Sequence, residues 1–214
     1  MIYLLSPSAK EGTFSLPMIT FTLLDAPLEV AHYDLLMFTS KQAVISANMC
    51  NSQWKTIPTL AIGDATAKQI EALGGTVRYK PKSFYGEVLA EDILHYFKEK
   101  KILYIRPKKV SFDAKAFLEK SGVHLDEKIL YETTCICYES KHAPEKNAII
   151  IFTSPSTIEC FFKNFNWDTS YTAIVIGTAT KVHLPKEVKV FVAKEALISS
   201  CIAKAKEVLT ANQL

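Results

Sequence analysis

Hydrophobic and polar positions follow two textures along this chain. Short, heavily β-branched runs recur at Ile2 to Leu5, Ile19 to Leu24, Leu35 to Thr39, Thr59 to Ile62, Thr76 to Tyr79, Ile102 to Arg106, Lys128 to Tyr138, Ala148 to Thr153, Thr172 to Ile176 and Val188 to Val192. Most are continuously apolar instead of alternating, the mark of strands buried on both faces, as in a parallel sheet covered by helices. Between them lie helical periods: Leu89, Ile93, Leu94 and Phe97; Ile158, Phe161, Phe162 and Phe165; Ile198, Cys201, Ile202, Ala205 and Leu209. Spacings of three, four and seven place each set on one helix face. The alternation predicts an α/β fold with parallel sheet.

The pattern also repeats. Phe38-Thr-Ser-Lys-Gln-Ala-Val44 returns as Phe152-Thr-Ser-Pro-Ser-Thr-Ile158, and Ala61-Ile-Gly-Asp-Ala-Thr-Ala67 as Val175-Ile-Gly-Thr-Ala-Thr-Lys181, both at an offset of 114 residues. Two matches at one offset point to a duplicated half-chain. A looser pair, Ile2-Tyr-Leu-Leu-Ser-Pro7 and Ile102-Leu-Tyr-Ile-Arg-Pro107, stands at offset 100. The difference falls between the first two strands, where Ser111 to Gly122 reads as a helix and Glu11 to Met18, with Gly12 and Pro17, does not. Two similar parallel-sheet α/β domains are therefore expected. Lys128 to Glu139 and Ile19 to Leu24, the latter followed by Asp25-Ala26-Pro27, are expected to run side by side as a two-stranded extended linker between them.

Composition narrows the function. The 214 residues are 49% hydrophobic and 22% charged, which excludes disordered, collagenous and coiled-coil chains. A net charge of +3, with no long Lys/Arg block, argues against a nucleic-acid partner. The longest apolar stretches are far short of the roughly 20 residues that span a bilayer, and no basic segment precedes an apolar one at the N-terminus. A cytoplasmic protein without membrane attachment is expected. The odd cysteine count, Cys50, Cys135, Cys137, Cys160 and Cys201, in segments read as strand or helix interior, suggests reduced, buried thiols. No second Cys/His pair accompanies Cys135 and Cys137 at ligand spacing, so no metal is expected. His32, His95, His124, His142 and His183 read as surface or helix-face residues. No dinucleotide, nucleotide-triphosphate or zinc-protease motif occurs.

The recurring loops carry the candidate chemistry. Ser40 and Ser154 stand where helix N-caps are wanted, with Pro155 suited to a first helical turn. Gly63 with Thr66, and Gly177 with Thr180, stand where a strand ends and a helix opens, the rim at which open α/β sheets bind ligands. Four such helix starts favour carboxylate or phosphate groups, and a ligand between two such rims would be large and polyanionic. The same residues would also cap and tighten any fold of this class. Arg106, one of only two arginines, ends its strand with a fork suited to a carboxylate or stands as a surface charge. Tyr131, in Leu130-Tyr-Glu-Thr-Thr134, either carries a phenol into a cleft or serves as a strand aromatic.

Taken in order, Thr39-Ser40 before Ala43-Val44, Ile62-Gly63 with Thr66-Ala67, Gly74-Gly75, Tyr85-Gly-Glu-Val-Leu89, Arg106, Gly122-Val123, Leu130-Tyr-Glu-Thr133, Phe152-Thr-Ser-Pro-Ser156 and Ile176-Gly177 with Thr180 resemble the uroporphyrinogen-III synthase family over nearly the whole chain. The resemblance implies two α/β domains, 1–22 with 137–214 and 25–134, joined by a two-stranded ladder. It implies a hydro-lyase without cofactor that cyclises hydroxymethylbilane, a linear tetrapyrrole bearing eight carboxylates, with inversion of the last ring and loss of water. Uncatalysed closure gives the non-inverted isomer, so the enzyme mainly holds the chain in the productive fold. Tyr131 matches the family's ladder tyrosine, which would hydrogen-bond the leaving hydroxyl. Ser40, Thr66, Ser154 and Thr180 match its hydroxyl-bearing rim, and Lys41, Gly63, Gly177 and Arg106 are expected beside them as further substrate contacts. Lys41, Pro107 and the absent first-half helix depart from the family's pattern. A monomer supplied by hydroxymethylbilane synthase is expected; the rival expectation is a non-catalytic two-domain binder of a polyanionic small molecule.

Overall fold

The structure is a computed structural model describing residues 1–211. In chain order the first elements are β1 (Ile2–Leu4), β2 (Phe14–Ser15), β3 (Ile19–Leu23), β4 (Leu35–Phe38), α1 (Lys41–Cys50), β5 (Thr59–Ala61), α2 (Asp64–Ala72), β6 (Val77–Tyr79), α3 (Gly86–Tyr96) and β7 (Ile102–Pro107). They are followed by α4 (Ala114–Glu119), β8 (Leu125–Cys135), β9 (Ile149–Phe152), α5 (Pro155–Asn164), β10 (Thr172–Val175), α6 (Thr178–Lys181), β11 (Val190–Val192) and α7 (Ile198–Ala211). The chain forms two compact units, Met1–Thr20 with Thr134–Leu214, and Phe21–Thr133.

The larger sheet has the order β3-β8-β7-β4-β5-β6, and the pairs from β8 through β6 are parallel. Its strands are apolar throughout because both faces are covered. One face packs Leu36, Phe38, Leu103 and Ile105 with Ala43, Val44 and Ala47 of α1 and Ile70 of α2. The other packs Leu35, Met37, Ile102 and Tyr104 with Leu89 and Ile93 of α3 and Leu118 of α4. Chain order reverses between β4 and β7, so the carboxyl ends of these strands flank a topological switch point, where α/β sheets leave a crevice.

The smaller sheet, β11-β10-β9-β1-β2, is parallel throughout and reverses between β1 and β9. Ile2, Leu4, Ile149, Ile151 and Ile174 pack with Cys201, Ala205 and Val208 of α7 on one face. The segment read as lacking a helix, Glu11 to Met18, does lack one, but it contributes the edge strand β2, too short to leave a hydrophobic pattern. The extended run read over Lys128 to Tyr138 is displaced: β8 begins at Leu125 and ends at Cys135. Beyond it Ile136 N–H still donates to Met18 O at 2.9 Å, and Asn164 of α5 holds the backbone that follows, accepting from Tyr138 N–H at 2.7 Å and donating to Ile136 O at 2.8 Å.

The cysteine expectation is corrected. Cys135 and Cys160 form a disulfide, Cα–Cα 5.2 Å, linking the end of β8 to α5. Of the free thiols Cys201 is buried, Cys50 partly so, and Cys137 is exposed. The reason lies in tertiary placement: residues 25 apart in sequence meet because the strand end lies beside the helix. Among the described residues no helix is long and apolar enough to cross a membrane, and no group of three or more His, Cys, Asp or Glu could hold a metal ion.

Candidate active site

The switch point of the larger sheet gathers the hydroxyl chemistry. Ser40 follows β4 in extended conformation, and its Oγ accepts from Ala43 N–H at 3.0 Å, capping α1. The same Oγ lies 2.7 Å from the phenol oxygen of Tyr131 on β8, and either hydroxyl can donate. Tyr131 is only 3% exposed, packed on Phe21 and within the α1 side of the core. It is therefore no free phenol standing in solvent: its ring is core and its hydroxyl is already paired. Burial pushes the phenol up to about 12, against the smaller opposing effect of the Ser40 bond. At neutral pH it is a protonated donor, not a base.

One residue earlier, Thr39 Oγ1 lies 2.8 Å from the phenol oxygen of Tyr104 on β7. Sequence reasoning missed this pair. A signal existed: a tyrosine in an otherwise aliphatic buried strand must find a partner for its hydroxyl. Its position opposite Met37 depends on the β4–β7 register, which no local pattern reveals.

Arg106 is engaged differently from expectation. Its Nη2 donates to Glu127 Oε2 at 3.2 Å, and Nη1 donates to the carbonyls of Pro107 and Lys108 at 3.0 and 3.2 Å. Its Nε lies 2.7 Å from Glu127 Oε1 as an ion pair, off hydrogen-bonding direction. The fork thus holds a carboxylate, but an internal one. Glu127 escaped notice because it faces β7 across a long crossover.

Thr66 and Thr180 open α2 and α6, as the repeat implies, but both are about 4% exposed, so their hydroxyls are core groups, not open rim donors. Gly63 and Gly177 are the respective N-caps, and neither helix has a side-chain cap. A Cβ at Gly63 would overlap the Phe84 ring, whereas Gly177 has open space around it. Near Gly63, Lys80 and Asp64 form an exposed ion pair. Lys41 is exposed at the first position of α1. In the smaller unit Ser154 caps α5: it accepts from Thr157 N–H at 3.3 Å, while Thr157 Oγ1 accepts from Ser154 N–H at 3.2 Å. This is a reciprocal capping box with Pro155 at the helix start.

The profile of the family described as Uroporphyrinogen-III synthase HemD matches residues 11–203. The chain belongs to the uroporphyrinogen-III synthase family. It is the cyclising lyase that closes hydroxymethylbilane to uroporphyrinogen III in tetrapyrrole biosynthesis. A solved uroporphyrinogen-III synthetase from Helicobacter pylori is 24% identical, with a TM-score of 0.81 over 97% of this chain and 98% of that one. A mutant uroporphyrinogen III synthase from the extremely thermophilic bacterium Thermus thermophilus is 13% identical, with a TM-score of 0.58 over 98% of each chain. These two share the fold. A sequence search of curated proteins finds no match.

Proposed function

We propose that this synthase works through Tyr131, which donates a hydrogen bond to the hydroxyl that departs from hydroxymethylbilane. The observation that carries this is the Ser40–Tyr131 bond at the end of β4. Ser40 Oγ takes the Ala43 N–H, and in the proposed arrangement its own proton points at the Tyr131 oxygen, one of the two directions open to this pair. The phenol proton is then free for the leaving group, and donors in series strengthen one another. Because the phenol stays neutral to high pH, it assists by hydrogen bonding and not by supplying a phenolate. Departure of the hydroxyl with its bonding electrons, as hydroxide, leaves a delocalised cation, and the net loss of water is completed when the last ring gives up a proton after re-closure. The last ring is then attacked at its substituted carbon, and the spiro intermediate re-closes the other way round.

The substrate's carboxylates are assigned to the helix starts at Ser40 and Lys41, at Gly63 and Thr66, at Ser154, and at Gly177 and Thr180. Their backbone N–H groups do more of this work than the two threonine hydroxyls, which are buried. Arg106 enters only by exchanging Glu127 for a substrate carboxylate. The proposal keeps a domain of 1–22 with 137–214 and one of 25–134, a reading supported by the two compact units. It also keeps a cytoplasmic monomer that receives its substrate from hydroxymethylbilane synthase and needs no cofactor. Enzymatically generated hydroxymethylbilane, incubated with the purified chain, should yield the inverted isomer on chromatographic separation. Recovery of only the non-inverted isomer would sink the proposal and favour a binding protein.

A further inference from the structure

Successive residues of a strand face opposite sides of its sheet, and the turn after β4 keeps that alternation. Thr39 follows Leu35 and Met37 toward the α3 and α4 side, where Tyr104 meets it. Ser40 follows Leu36 and Phe38 toward the α1 and α2 side, where Tyr131 meets it. Two adjacent hydroxyls of one turn are thus gripped from both faces, by phenols on the two strands that follow β4 across the switch point. We propose that Tyr104 is a positioning residue for the cyclisation: its bond to Thr39 fixes the turn that presents Ser40 to Tyr131. This rests on the reading of Tyr131 as the catalytic donor.

The chemistry favours a purpose for that hydroxyl beyond packing. Tyr104 is only 3% exposed, so a phenylalanine would fill the same space with no polar group to bury. Burial raises the Tyr104 phenol and Glu127 adds to the effect, while the Thr39 bond and Arg106 oppose it, so it remains a neutral hydrogen-bonding group. If the Thr39 anchor is lost, the turn has one fixed face instead of two, and the aim of the Ser40 hydroxyl loosens. Such aiming errors act on turnover more than on binding.

The test is a set of steady-state measurements on Tyr104→Phe, Tyr131→Phe and their double variant, with melting temperature recorded for each. Tyr104→Phe should lower kcat about 3- to 5-fold, no more than loss of the Ser40 hydroxyl itself, with KM within about two-fold of wild type, and should cost nothing further in the Tyr131→Phe background, where there is no donor left to aim. Thr39→Val removes the same bond from the other side and covers the case in which Tyr104→Phe fails to fold; Thr39→Ser, which keeps the hydroxyl, should recover most of the kcat lost in Thr39→Val. Wild-type kcat in both Tyr104→Phe and Thr39→Val, or the same fold loss with and without Tyr131, overturns the positioning role alone. Wild-type turnover in Tyr131→Phe overturns the catalytic reading and this inference with it.

Discussion

The turns after β4 and β9 carry the same residues, Phe-Thr-Ser, and cap the helices that follow in the same way, yet different chemistry holds them. In the larger unit the cap oxygen of Ser40 is shared with a phenol from β8, and Thr39 meets a second phenol from β7. In the smaller unit Ser154 closes on its own helix through Thr157, and α5 is tied to the end of β8 by a disulfide. A duplicated motif specifies a cap; its neighbours decide whether the cap can also orient a proton. The copy bordered by tyrosines is suited to assist a leaving group. The copy closed on itself and crosslinked is, under the proposed function, a fixed helix start for a substrate carboxylate.

The largest expected effect separates the two copies at once. Tyr131→Phe removes one well-aimed donor and should lower kcat on the order of 10² to 10³, with little change in melting temperature because the ring's packing is kept. Steady-state kinetics on the folded variant give the answer. Wild-type turnover would make both copies equally structural and erase the contrast. With the phenol raised to about 12, this residue should impose no titration on kcat below about pH 10. Its contribution to stability follows the same shift: a phenol raised on folding stabilises fully below its unfolded value near 10, and the benefit drains away as pH rises toward 12.

Next in size is the crosslink. A disulfide spanning 25 residues restricts the unfolded chain by about 3.5 kcal/mol on the loop-entropy relation. Reductant, or Cys160→Ser, should therefore lower the denaturation free energy of the oxidised protein by about that amount. Thiol titration of the unfolded, non-reduced chain should count the three free cysteines, Cys50, Cys137 and Cys201. Five thiols in freshly purified protein would show that α5 is held by packing alone, and the two copies would then differ less than the structure says.

Local pattern carried much of the fold and little of the site's wiring. The β-branched runs located the two sheets because burial on both faces leaves no alternation to misread, and the 114-residue offset placed both serine caps on helix starts. Tyr131 stood out as a strand phenol near Ser40's unit, but its contact with Ser40 lies 91 residues away in sequence and depends on where β8 falls in the sheet. Thr39–Tyr104, Arg106–Glu127 and Cys135–Cys160 are likewise pairings between elements whose adjacency is set by strand order and packing. Each end of such a pair looks like an ordinary strand or helix residue until its neighbour is known. The rim threonines erred in the opposite sense: the motif put them at helix starts, where the first turn folds their hydroxyls inward.

A smaller contrast separates the paired glycines. Gly63 and Gly177 are both extended, φ −177° and −174°, which any residue adopts, so alanine strains neither backbone. Only space distinguishes them. Gly63→Ala must push Phe84 aside, and since that ring is 49% exposed and can swing away, the loss should be about 1 kcal/mol, the low end of overpacking costs. Gly177→Ala meets nothing and should stay within about 0.5 kcal/mol of wild type. Chemical denaturation of both variants, repeated in a Phe84→Ala background, checks the cause: the Gly63 penalty should vanish there. A penalty that persists would mean that Phe84 is not the obstacle.

The finest distinction lies between the two serines themselves. Ser40→Ala and Ser154→Ala each delete an N-cap and should each cost about 1 kcal/mol of stability. Stability alone therefore cannot tell the copies apart, but kinetics should. Without Ser40 the Tyr131 oxygen loses the hydroxyl that orients it, so its proton is free to turn away from the leaving group, and kcat should fall several-fold. Without Ser154 only the helix start proposed to hold a carboxylate loosens, so the change should appear in KM while kcat holds. Ser40→Thr, which keeps a hydroxyl able to cap and to reach the phenol, should recover part of the lost turnover. Equal kcat in the two alanine variants would show that the bond to Tyr131 packs a strand against a turn and aims nothing.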